Sequence, residues 1–150
     1  MKGFAIIAVW LVVTVPVAQA DCGATEKTLF SCLTKKGKQV EICNFGRTIR
    51  YSFGRPNDKP EISVVVPTKS VTGTSCYACG RYISNLVDIS NGNVMYRVSW
   101  SGDKLDTDSP LEGGVEVFVN GESKAFIPCA SEPTTNNTEG IEFKEPVVGN

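Results

Sequence analysis

The sequence predicts an all-β domain, a single antiparallel barrel or sandwich of about eight strands held by disulfides. Three observations carry that expectation. No segment sustains a hydrophobic period of 3.6 residues. Short alternating runs recur instead, separated by Gly, Asn, Asp and Pro. Six cysteines accompany these runs, with no histidine.

The chain opens with MKGFAIIAVWLVVTVPVAQA, in which Lys2 precedes an apolar run from Phe4 to Val15 and the segment finishes on Ala18-Gln19-Ala20. That pattern predicts a cleaved secretory signal over residues 1–20, because the run is shorter than the ~20 residues of a membrane span. Residues 21–130 then form the β-domain, and 131–150 read as a polar tail with at most one edge strand, at Ile141-Glu142-Phe143. No membrane anchor is expected. Without Lys2 the remaining chain carries 14 basic and 16 acidic side chains, a net charge of −2. Such a balance offers no electrostatic footprint for nucleic acid or an anionic membrane.

Near the front, LFSCLTKKGKQVEICNF places Gly37-Lys38 at a type II′ turn, a register that sets Cys32 opposite Cys43 and predicts a disulfide between them; a turn at Lys36-Gly37 is the alternative and would shift that register. RTIRYSF alternates Ile49, Tyr51 and Phe53, and EISVVVP alternates Ile62, Val64 and Val66. These read as neighbouring antiparallel strands joined through a Gly-Pro-Asn-rich turn. In YISNLVDISNGNVMYRVSWS, Asn91-Gly92 predicts a type I′ turn with Ser90 opposite Asn93 and Tyr82 opposite Ser101. One face of this central hairpin collects Ile83, Val87, Ile89, Val94, Tyr96, Val98 and Trp100 around a lone Asn85. The other holds Tyr82, Ser84, Leu86, Asp88, Met95, Arg97, Ser99 and Ser101, a set suited to water. A further hairpin is expected around Asn120-Gly121, between Val115-Val117-Val119 and Ala125-Phe126-Ile127.

Histidine's absence excludes Ser-His and Cys-His nucleophiles, histidine metal ligands and a histidine pH switch. Cys76-Tyr77-Ala78-Cys79 has the CxxC spacing of thiol-disulfide oxidoreductases, but a β-patterned run follows where a helix would lower the thiol pKa. Cys22, Cys32, Cys43, Cys76, Cys79 and Cys129 are accordingly expected as structural disulfide residues, and no cofactor or metal is expected. Asp103, Asp106, Asp108 and Glu112 crowd one loop; the stretch lacks the order of an EF-hand, so ordinary turn chemistry is favoured over calcium. Tyr96 and Trp100 are assigned to packing. Arg81, Tyr82, Ser101, Asp103 and Lys104, at the mouth of the central hairpin, form the candidate binding surface.

GRYISNLVDISNGNVMYRVSWSGDK, with the early Phe30-Ser31-Cys32, resembles the bacterial inhibitors of C-type lysozyme. Gly80, Tyr82, Trp100 and Gly102 are the matching positions; Cys79 and Ser101 stand where that family's motif has Ser and Lys. The resemblance implies a small periplasmic or lipid-anchored β-barrel with no catalytic residues and a lysozyme-like hydrolase as protein partner. Two other expectations stand beside it, a periplasmic immunity protein that neutralises a toxin and a CxxC protein that exchanges disulfides.

Overall fold

A computed structural model describes residues 22–23, 25–76, 80–106, 108–135 and 143–144. The predicted signal segment, Cys79 and residues 136–142 and 145–150 lie outside the described residues. The architecture is two antiparallel sheets packed face to face. It is a sandwich rather than a closed barrel. The first sheet is a meander of β1 (Lys27–Leu33), β2 (Gln39–Asn44), β3 (Thr48–Gly54) and β4 (Ile62–Pro67). A single 3-10 turn at Thr68–Ser70 and the buried Val71 carry the chain across. The second meander follows, with β5 (Thr72–Cys76), β6 (Tyr82–Asn91), β7 (Val94–Asp103), β8 (Glu112–Val119) and β9 (Glu122–Pro128). The two-residue β10 (Thr134–Thr135) returns to pair with β1. Within the segment read as a tail, Thr134–Thr135 pair with β1, Lys144 forms a parallel bridge to Thr72 and Phe143 packs on the core, while Ile141 and Glu142 of the expected edge strand lie outside the described residues.

Period-two alternation builds the interior. Val40, Ile42, Ile49, Tyr51 and Val64 of the first sheet meet Val87, Ile89, Tyr96, Val98, Trp100 and Val115 of the second. Two aromatic pairs span the layers: Tyr51 stacks on Tyr96 with ring centroids 4.5 Å apart, and Phe30 meets Trp100 at 5.4 Å. Asn85 is the polar intruder among these residues, and its carboxamide oxygen accepts the Ser75 hydroxyl at 2.7 Å. A β-bulge at Leu29 turns both Leu29 and Phe30 inward, so β1 fills more of the core than strict alternation allows.

Two hairpin registers and one disulfide differ from the expectation. In the first hairpin Leu33 pairs with Gln39 and Cys32 with Val40, so Cys43 lies opposite Thr28. The loop is three residues long: Thr34 and Lys38 close it, with the Thr34 N–H donating to the Lys38 carbonyl at 2.8 Å, and Gly37 takes φ of +68°. That is the type I turn with a left-handed glycine, which the Thr34 hydroxyl secures by accepting the Lys38 N–H at 3.2 Å. Cys32 therefore faces the core between the sheets and bonds to Cys129, whereas Cys43 lies on the other face of β2, where it is fully buried and bonds to Cys22.

The central hairpin turns at Gly92-Asn93 rather than Asn91-Gly92. Asn91 stays in the strand opposite Val94, and Gly92 alone takes a positive φ, +62°, as the first central residue of a type II′ turn does. Asn93 is thereby free to tie this tip to the next one, its carbonyl accepting the Asn120 N–H at 2.8 Å. The corner moves by one residue and each cross-strand partner by two, an even number, so every side chain keeps its assigned face. Tyr82 now lies opposite Asp103 and Ser84 opposite Ser101. The Asn120-Gly121 turn is as expected, with both residues at positive φ and Val119 paired to Glu122.

Candidate functional site

Antiparallel register assembles a continuous outer face on the second sheet, because directly paired residues share a side. Tyr82 and Asp103 occupy one end of it. Next come Cys76, Ser84, Ser101 and Glu112 in one row across four strands, then Thr74, Leu86, Ser99, Gly114 and Pro128. A third row holds Thr72, Asp88, Arg97, Glu116 and Phe126. The face is concave and encloses an open groove of about 820 Å³.

At the mouth of the hairpin four of the five expected residues come together. The Arg81 guanidinium donates to the Asp103 carboxylate, with Nε to Oδ2 at 2.6 Å, and lies over the Tyr82 ring at 5.9 Å. Lys104 N–H donates to the Arg81 carbonyl at 3.0 Å, and Leu105 N–H donates to Asp103 Oδ1 at 2.9 Å. The hydrogen bond from Arg81 holds the Asp103 carboxyl below the usual aspartate range. Tyr82 remains 54% exposed and Leu105 79%, so an aromatic ring and a branched aliphatic chain stand in water beside a fixed ion pair. Nothing in the sequence marks Leu105, because an isolated apolar residue in an acidic loop has no periodicity. Ser101, the fifth residue, sits two positions inward with Ser84, on the groove lining rather than at the mouth.

Asp88 and Arg97 form a two-pronged ion pair inside the groove, 2.8 Å at each contact, and this bond raises the Arg97 pKa further. Glu116 accepts the Ser123 hydroxyl at 2.6 Å. Asp103, Asp106, Asp108 and Glu112 do not bring three carboxylate oxygens together; among the described residues Cys22, Glu26 and Cys43 alone make a compact set of metal-ligating types. Their two sulfurs are spent in the Cys22–Cys43 bond, which removes the thiolates a metal would require. Cys76 ends β5 and is also disulfide-bonded, on a strand and away from any helix terminus among the described residues. Cys79 lies outside the described residues.

Comparison with family models, with curated proteins and with solved structures returns no match. The site's chemistry is therefore read from its residues alone. Charges paired within the protein, hydroxyls turned to an open groove and exposed rings on a rigid sheet suit recognition of a partner surface.

Proposed function

We propose that this chain is an exported, non-catalytic binding domain whose partner is another protein, and that the partner is a lysozyme-like hydrolase. The observation that carries the reading is the exposed Tyr82, held at the hairpin mouth beside the Arg81–Asp103 ion pair, whose guanidinium lies over its ring. Aromatic and arginine side chains are the residues that anchor protein interfaces, and a sheet that fixes them beforehand lowers the ordering cost of association. Export is supported by the apolar leader and by cross-links that persist only in oxidising compartments. The resemblance of Gly80, Tyr82, Trp100 and Gly102 to the lysozyme-inhibitor motif supplies the partner class.

A panel of lysozymes, C-type enzymes included, provides the assay. Micromolar protein is expected to inhibit at least one of them, and an Arg81→Ala, Tyr82→Ala variant is expected to lose about tenfold or more in affinity with its thermal transition intact. Neither inhibition nor binding across the panel removes the hydrolase partner. Unchanged affinity of the double variant for a partner so found removes the hairpin mouth as its contact.

A further inference from the structure

The groove on the outer face of the second sheet is lined by residues that the hairpin-mouth reading does not use. Thr72, Thr74, Ser84, Ser99 and Ser101 turn their side chains to it across three strands. None of these five hydroxyls has a hydrogen-bond partner among the described residues. A hydroxyl both donates and accepts, so the floor presents a two-dimensional array of groups of either polarity. Phe126 borders the array, 61% exposed on an edge strand. Its ring is not adrift there. It lies over Gly114, where an added Cβ would stand 2.7 Å from the ring and 2.9 Å from the Ile127 carbonyl, so glycine is what lets the ring lie flat along the sheet.

Charge narrows the ligand class. Arg97, the groove's guanidinium, is neutralised by Asp88, and the remaining charged lining residues, Lys35 and Glu112, have opposite signs. An anionic ligand would meet no net positive field, and a lipid chain would leave five hydroxyls desolvated without partners, at a cost for each. A neutral ligand dense in hydroxyls, with an apolar C–H face to lay on a ring, satisfies every part of the surface. We propose that this groove binds a neutral oligosaccharide, a chain of pyranose units whose hydroxyls bond to Thr72, Thr74, Ser84, Ser99 and Ser101 while one unit stacks on Phe126. The volume of about 820 Å³ lies within the range of sites that take ligands of oligosaccharide size. This site adjoins the hairpin mouth but does not depend on the hydrolase partner.

Calorimetric titration of the intact protein with cellotetraose, xylotetraose, mannotetraose and chitotetraose tests the inference. At least one is expected to bind, with affinity about tenfold lower in Phe126→Ala and lower again in Ser84→Ala, Ser99→Ala. These positions are solvent-facing, so both variants are expected to keep the parent's thermal transition, and Arg81→Ala, Tyr82→Ala is expected to bind the sugar as the parent does. Failure of all four tetrasaccharides to bind at millimolar concentration overturns the proposal. So does binding that survives in both groove variants, or a preference for a sulfated tetrasaccharide over every neutral one.

Discussion

Tyr51 shows how a single side chain sets a limit on the whole domain. Its phenol is buried against Tyr96, and burial, followed by the neighbouring phenol, pushes its pKa well above the ordinary tyrosine range. In the unfolded chain the same group ionises near ~10. Above that pH the unfolded state releases a proton that the folded state retains, so the stability contributed by the neutral phenol is present below ~10 and is lost as pH rises beyond it. Tyr51→Phe keeps the ring and its stacking while removing the titration. Urea denaturation from pH 8 to 11 is expected to show the parent's stability falling more steeply than the variant's, and parallel alkaline limbs would assign the loss to other groups. The core role of Tyr51 was legible from its alternation with Ile49 and Phe53; its stacking partner was not, because Tyr96 comes from the other sheet and no local pattern links the two.

At the scale of the element, the two Asn-Gly pairs are a natural comparison, since identical dipeptides turn in different ways. Asn120 has φ of +54° and its carboxamide oxygen accepts a hydrogen bond from the Asn93 side chain at 3.2 Å, so both the backbone and the side chain of that asparagine are in use. Asn91 instead belongs to β6 and pairs with Val94 in ordinary strand conformation. Threonine, a β-branched residue, fits a strand and resists a left-handed conformation. Asn120→Thr is therefore expected to cost about 1–2 kcal/mol in chemical denaturation and Asn91→Thr to stay within ~0.5 kcal/mol. Equal costs at both sites would contradict the Gly92-Asn93 turn. The presence of a tight turn at each Asn-Gly pair was legible, and the face of every residue in the central hairpin followed from alternation. What the local sequence did not resolve was which two residues occupy the corner, because the choice depends on bonds between neighbouring tips, such as the one between Asn93 and Asn120. The same reason separates Ser101 from the hairpin mouth: a corner displaced by one residue shifts every cross-strand partner by two.

For the molecule as a whole, the disulfides connect what the meander topology would otherwise leave to packing alone. Apart from the two-residue β10 on β1, each sheet is built from sequence neighbours whose contacts close short loops, so few links among the described residues join the start of the first sheet to the end of the second. Cys32–Cys129 is such a link, spanning a sequence separation of 97 between β1 and the residue after β9, with the Ala130 N–H donating to the Leu33 carbonyl at 2.7 Å beside it. Cys22–Cys43 spans 21 and fastens the segment before β1 to β2. The long bond was not legible in the sequence because pairing over such a distance depends on how two sheets stack, which no hairpin register encodes. On the chain-entropy account the contribution of a cross-link grows with the loop it closes, giving about 4.7 kcal/mol for the longer loop and about 3 kcal/mol for the shorter. Cys32 is also part of the core, so replacing it removes apolar packing as well. A Cys32→Ala, Cys129→Ala variant is thus expected to lose more stability than Cys22→Ala, Cys43→Ala when both are unfolded in guanidinium under non-reducing conditions. The opposite order would mean that the stacking of the sheets holds without the long cross-link and that β1 with the segment before it is the weaker part of the domain.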